Sequence, residues 1–83
     1  MSKVLIYTKS YCPYCDRAKA LLQRKGASYE EISVEGNEKI YTELKQKTGL
    51  MTVPQIFIND ELIGGYTDLA ALDQKGLLDA KLS

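Results

Sequence analysis

The stretch Val4-Leu5-Ile6-Tyr7-Thr8-Lys9-Ser10-Tyr11-Cys12-Pro13-Tyr14-Cys15 decides the fold. Val4–Thr8 is short, rich in β-formers and flanked by polar residues, which predicts a buried strand. Pro13 suits the first position of a helix, where a missing N–H is no loss, and Gly26 suits the residue just past the end. Between them Tyr14, Cys15, Ala18, Leu21 and Leu22 recur at helical spacing, with Asp16, Arg17, Lys19 and Gln23 on the other side. The two cysteines therefore fall where a strand hands over to a helix. Positions i and i+3 of a helix share a face, so their sulfurs lie within disulfide reach.

Cys12 precedes Pro13 and takes the cap position, where its sulfur is expected to accept hydrogen bonds from the amides of Tyr14 and Cys15. Unpaired N–H groups and the positive end of the helix dipole favour a thiolate there. A free thiol, with a pKa of about 8.5, is only a few per cent ionised at neutral pH. Helix amides and the cation of Lys9 are expected to lower the Cys12 value. Cys15, one turn inside, is expected to be more buried and less ionised, which suits a resolving thiol. A thiolate with a second thiol in reach is a device for thiol–disulfide exchange. Two plainer roles compete with it. A zinc site needs four ligands, and the chain has two cysteines and no histidine. A purely structural disulfide across so small a loop would constrain the unfolded chain little.

With 83 residues the chain is expected to form one domain, residues 1–83, whose core must be economical because so small a domain buries only about 60% of its unfolded surface. Eleven basic residues balance eleven acidic ones, which argues against general binding to nucleic acid or to an anionic membrane. The apolar run Val4–Tyr7 is too short for a signal-peptide core or a membrane span, so a cytoplasmic location is expected. There a lone Cys-x-x-Cys pair is more often redox-active or metal-binding than a staple. Nothing in the composition demands an oligomer, and a monomer is expected.

Further along, Tyr29, Ile32 and Val34 give a weak strand signal over residues 28–34. Asn37 would cap a second helix carrying Ile40, Tyr41 and Leu44 and ended by Gly49. Pro54–Ile58 reads as a central strand, Asn59-Asp60-Glu61 as a turn, and Leu62-Ile63 as a short return strand. A last helix starts near Thr67-Asp68, Gly76 interrupts it, and Leu77, Leu78 and Leu82 pack a terminal turn on the body. The order is β-α-β-α-β-β-α. A right-handed parallel β-α-β unit and a closing antiparallel hairpin give a four-stranded mixed sheet with helices on both faces. With a cysteine pair at the first strand–helix junction, this is the thioredoxin-like α/β pattern.

Two further segments carry chemistry. Proline is confined to strand starts and edges, so Thr52-Val53-Pro54 is an unusual opening for a central strand. A cis Val53–Pro54 bond would leave the Val53 backbone free to pair with an extended peptide beside Cys12; a trans proline would merely begin the strand. In Gly64-Gly65-Tyr66-Thr67-Asp68 the paired glycines allow close backbone approach, and the following helix N-terminus can take a carboxylate. Asp68 could add a partner for an ammonium, which together fits an α-amino-acid zwitterion. Taken alone, Thr67 or Asp68 reads more simply as a helix cap, and Lys9 as a solvated lysine.

Thr8-Lys9 with Cys12-Pro13-Tyr14-Cys15, Thr52-Val53-Pro54-Gln55-Ile56-Phe57-Ile58 and Gly64-Gly65-Tyr66-Thr67-Asp68-Leu69 together resemble a dithiol glutaredoxin of the bacterial glutaredoxin 3 type. The resemblance spans essentially the whole chain. It implies a glutathione-dependent thiol–disulfide oxidoreductase with catalytic Cys12 and Cys15, acting on protein–glutathione mixed disulfides and protein disulfides. It implies glutathione as co-substrate, no tightly bound cofactor, no metal, and glutathione reductase as an indirect partner. It also implies that Lys9 pairs with the glycine carboxylate and that Thr52 and Val53 hold the cysteinyl backbone, with Pro54 cis. Thr67 and Asp68 would grip the γ-glutamyl end, and Tyr14 would line the groove.

The chain departs from the family pattern at two places. Tyr41 stands where many relatives carry an arginine or glutamine for the glycine carboxylate, with Lys45 or Lys39 as candidate substitutes. Thr67 stands where some relatives are acidic, which makes the pocket less repulsive to a carboxylate. Three rival readings are a redoxin served by thioredoxin reductase, an iron–sulfur carrier sharing a cluster through Cys12, and a redox-inert binding module.

Overall fold

In the computed structural model, which describes residues 2–83, eight elements follow one another. They are β1 (Val4–Thr8), α1 (Pro13–Arg24), β2 (Glu30–Ser33), α2 (Glu38–Thr48), β3 (Gln55–Ile58), β4 (Glu61–Gly64), α3 (Tyr66–Gln74) and α4 (Leu78–Leu82). Met1, the first residue of the expected domain, lies outside the described residues. The strands form one sheet in the order β2-β1-β3-β4. β1 runs parallel to β2 and antiparallel to β3, and β3 pairs antiparallel with β4. This is the expected four-stranded mixed sheet of the thioredoxin-like fold.

Side chains alternate between the two faces of a strand, and the central strands use both faces. Val4 and Ile6 of β1 and Ile56 and Ile58 of β3 join Ala18, Leu21 and Leu22 of α1, Leu69 of α3 and Leu78 of α4 in one core. The intervening residues Leu5, Tyr7 and Phe57 face the opposite side, where Val34 and Leu44 pack with them under α2. Tyr7 and Phe57 meet edge to face, with ring centroids 5.9 Å apart. Helices therefore cover both faces, three on one and one on the other.

Four elements differ from the sequence-based expectation, one being β3, which begins at Gln55 because Pro54 has no N–H to give the ladder. β2 spans four residues instead of seven; it is an edge strand with three of its four residues exposed, so few of its side chains leave a burial signal. Glu61 belongs to β4, because Asn59 and Asp60 make the turn alone, both with positive φ (51° and 67°). A two-residue hairpin turn requires that backbone, and Asn and Asp tolerate it better than most residues. The terminal turn after Gly76 is the helix α4, which adds one element to the expected order. Lys25, at the end of α1, reaches Asp73 at 2.6 Å and Asp79 at 3.2 Å, bridging to the segments that hold α3 and α4.

At the β1–β2 edge the Thr8 hydroxyl donates to Glu31 Oε2 at 2.7 Å, and Lys19 Nζ of α1 reaches the same oxygen at 3.1 Å. The Thr8 hydrogen bond, followed by the Lys19 cation, holds the Glu31 carboxyl below its ordinary value of 4.5. A lowered carboxylate value contributes stability that is complete above the ordinary value and is lost as pH falls through the lowered one. Glu31→Gln is therefore expected to lower the urea midpoint at neutral pH and to converge with wild type in acid. Leu22, fully buried between α1 and the sheet, sets the scale of the main core. Leu22→Ala should cost about 2–5 kcal/mol by denaturant titration.

Candidate active site

Cys12 is the N-cap of α1, in extended conformation (φ −116°, ψ 97°), and Pro13 opens the helix. The Cys15 amide donates to Cys12 Sγ at 3.1 Å; the Tyr14 amide, the second expected donor, makes no such bond. The two cysteines are joined as a disulfide with Cα atoms 5.2 Å apart, an ordinary spacing for such a bridge. Cys12 retains 8% of its surface and Cys15 only 1%, so Cys15 is the more buried residue of the two, as expected. The approach to the cap runs through Tyr11, which has a positive φ of 55° and stands fully exposed beside Cys12.

Across from the helix end lies the segment before β3. The Val53–Pro54 peptide is cis. Ladder pairing of β3 with β1 begins at Gln55, so Val53 stands outside the sheet. Its carbonyl oxygen lies 3.9 Å from Cys12 Sγ, and its N–H makes no hydrogen bond among the described residues. A groove of about 280 Å³ opens here, lined by Tyr14, Thr52, Val53, Pro54, Gly65, Tyr66 and Thr67.

The far end of the groove is the N-terminus of α3, capped by Gly65. Asp68 Oδ2 accepts the Gly65 N–H at 3.0 Å, so the aspartate does serve as a cap. Gly64 has φ +116°, and a side chain there would collide with the Asp68 carboxylate. Five candidate residues, Tyr14, Thr52, Val53, Pro54 and Thr67, thus share one groove. Asp68 braces the groove's end without lining it. Lys9 is exposed, makes no ion pair among the described residues and does not line the groove. Lys45 Nζ stacks 4.3 Å above the Tyr41 ring and does not line the groove.

Tyr66, Arg17 and Gln55 were not singled out from the sequence, and Tyr41 was singled out for a different contact. Tyr66 stacks on Tyr14 with centroids 6.2 Å apart, so a wall of the groove is aromatic, and the Arg17 guanidinium sits 5.2 Å over the Tyr14 ring. The loop before the groove is held by side chains. Gln55 Nε2 donates to Leu50 O at 3.1 Å and to Thr52 O at 3.0 Å, and the Tyr41 hydroxyl donates to Met51 O at 2.9 Å. Gln55 is fully buried, and its Oε1 has no partner among the described residues, at a cost of about 1–3 kcal/mol. A polar residue inside an otherwise apolar strand was the available signal for Gln55; no local pattern announces the Tyr41 contact.

Among the described residues no group of three or more His, Cys, Asp or Glu side chains is placed to hold a metal ion. No described helix is long and apolar enough to cross a membrane.

A disulfide at the head of the first helix, on a sheet of this order, defines a thiol–disulfide oxidoreductase of the thioredoxin-like fold. The family model for glutaredoxin matches residues 4–63. The chain is 52% identical over 83 residues to a glutaredoxin of Pseudomonas aeruginosa, covering all of this chain and 99% of that one. It is 52% identical over 82 residues to glutaredoxin 3 of Escherichia coli K12, covering 99% of each. Among solved structures, a buckwheat glutaredoxin–glutathione complex superposes with a TM-score of 0.92 at 33% identity, covering 98% of this chain and 76% of that one. A Brucella melitensis glutaredoxin gives a TM-score of 0.86 at 48% identity, covering 96% and 87%. The chain belongs to the glutaredoxin family, and it is of the bacterial glutaredoxin 3 type.

Proposed function

We propose that this oxidoreductase uses glutathione as its electron donor and reduces both protein–glutathione mixed disulfides and protein disulfides. The observation that carries the reading is the free Val53 backbone beside Cys12 Sγ, at the head of a groove that ends on the α3 N-terminus. An extended tripeptide laid along this groove would pair its cysteinyl backbone with Val53 and bring its sulfur to Cys12. Its γ-glutamyl carboxylate would meet the amides of α3 near Thr67, where the helix dipole favours an anion. Asp68, which caps α3 through Oδ2 at the groove's end, would have to reach the ammonium with Oδ1. Tyr14 and Pro54 supply apolar walls, and Lys9 the cation for the glycine carboxylate. The buckwheat relative's structure is a complex with glutathione, which supports glutathione as the partner. The same reading takes residues 1–83 as one cytoplasmic, monomeric domain.

The chemistry balances in two modes. In the monothiol mode the Cys12 thiolate attacks the glutathione sulfur of a mixed disulfide, and the substrate leaves as a thiolate that takes up a proton. A second glutathione thiolate then attacks the glutathione sulfur on Cys12, releasing oxidised glutathione and restoring the Cys12 thiolate. In the dithiol mode Cys12 opens a protein disulfide to form a mixed disulfide. Cys15, deprotonated as it attacks, displaces the substrate's second thiol and closes the Cys12–Cys15 bridge. Two glutathiones reduce that bridge, and glutathione reductase recycles their oxidised dimer.

The cysteine variants test this directly in a coupled assay with glutathione and glutathione reductase. Cys15→Ser should retain reduction of a glutathione mixed disulfide and lose reduction of a protein disulfide. Cys12→Ser should lose both. Substantial turnover of the mixed disulfide by Cys12→Ser would refute the assignment.

A further inference from the structure

We infer that Tyr41 and Gln55 are positioning residues for the glutathione groove: they fix the peptide planes of residues 50–53 so that Val53 presents its N–H to the bound tripeptide. The inference rests on the glutathione reading above. Three successive carbonyls, of Leu50, Met51 and Thr52, each accept a side-chain donor from outside the loop. Two of these donors belong to Gln55 on β3 and one to Tyr41 on α2.

The effect follows from the planarity of the peptide unit. In a trans peptide the C=O and the next residue's N–H point in opposite directions. The single cis bond among the described residues is Val53–Pro54, so the preceding planes are trans. Gln55 draws the Thr52 carbonyl towards β3, and the Val53 N–H of the same plane is turned the other way. Tyr41 holds the Met51 carbonyl, and this fixes the Thr52 N–H in turn. Without the two side chains these planes could rotate, and the loop would lose that freedom again on binding. Fixing them in advance removes that entropic cost from association.

A simple structural staple does not explain the choice of residue at position 55. The amide must face its NH2 to the two carbonyls, since its oxygen would be repelled there. That leaves Oε1 buried with no partner among the described residues. An apolar side chain of similar size would fill β3 without the orphan acceptor, so what glutamine adds is the hold on the loop. Tyr41 makes its contact through the hydroxyl alone. Here the side chain acts on the loop, with Lys45 stacked on its ring.

Tyr41→Phe removes the hydroxyl and keeps the ring, so it is the informative variant. The KM for glutathione should rise about two- to tenfold, the range set by the net worth of one hydrogen bond. The kcat at saturating glutathione should be unchanged. Backbone order parameters from 15N relaxation should fall at Thr52 and Val53, with Ile56–Ile58 unaffected. Gln55→Met should shift KM in the same direction and further. An unchanged KM, unaltered order parameters at Thr52 and Val53, or a parallel loss of kcat in Tyr41→Phe overturns the inference. Absence of glutathione-dependent turnover in the wild type overturns the underlying reading instead.

Discussion

Cys12 occupies the place at the head of α1 where a serine, threonine or aspartate oxygen usually satisfies the first free amides of a helix. A sulfur in that place accepts the Cys15 N–H, and any charge it carries faces the positive end of the helix. One arrangement therefore caps the helix and favours the reactive form of the nucleophile. Pro13 makes it possible, because a residue without an N–H at the first helical position leaves nothing unsatisfied. Moving Cys12 off the cap would lose both effects together.

The rest of the fold serves to bring partners to that sulfur. β1 delivers the chain to the cap, and β3, its antiparallel neighbour, ends its ladder at Gln55, which leaves Val53 beside the sulfur and outside the sheet. β4 then turns through Gly64, whose lack of a side chain admits the Asp68 carboxylate and lets α3 start close by. Two helix N-termini and one free strand end thus border a single groove. The mixed sheet is what allows this, since antiparallel β3 starts at the end of the sheet where β1 finishes. The two-sided core gives that frame its rigidity, with the layer of Ile6, Leu22, Ile56 and Leu69 under α1 and α3 supporting both helix ends.

Much of this was legible in the chain because the signals are local. The short β-rich run of Val4 to Tyr7, the proline and glycine bounding α1, and Asn37 and Gly49 bounding α2 each fix an element through a few neighbouring residues. The site was legible in part for the same reason: Cys12-Pro13-Tyr14-Cys15, Thr52-Val53-Pro54 and Thr67 each carry their chemistry in sequence neighbours. What was not legible depends on contacts between distant segments. The exposed edge strand β2 has too few buried residues to show its limits. The stacking of Tyr66 on Tyr14 joins residues that only the fold brings together, and so does the hydrogen bond from Tyr41 to Met51 O. Asp68 reads in the sequence as cap or ligand, and the structure shows it capping α3 through Oδ2.

Exchange chemistry at this site depends on the ionisation of one thiol. The decisive measurement is the alkylation rate of Cys12 in the reduced protein as a function of pH, resolved from Cys15 by peptide mass. A cap-stabilised thiolate predicts a midpoint well below that of free cysteine and rapid reaction at neutral pH. A midpoint at or above about 8.5, the value of an unperturbed thiol, would contradict it.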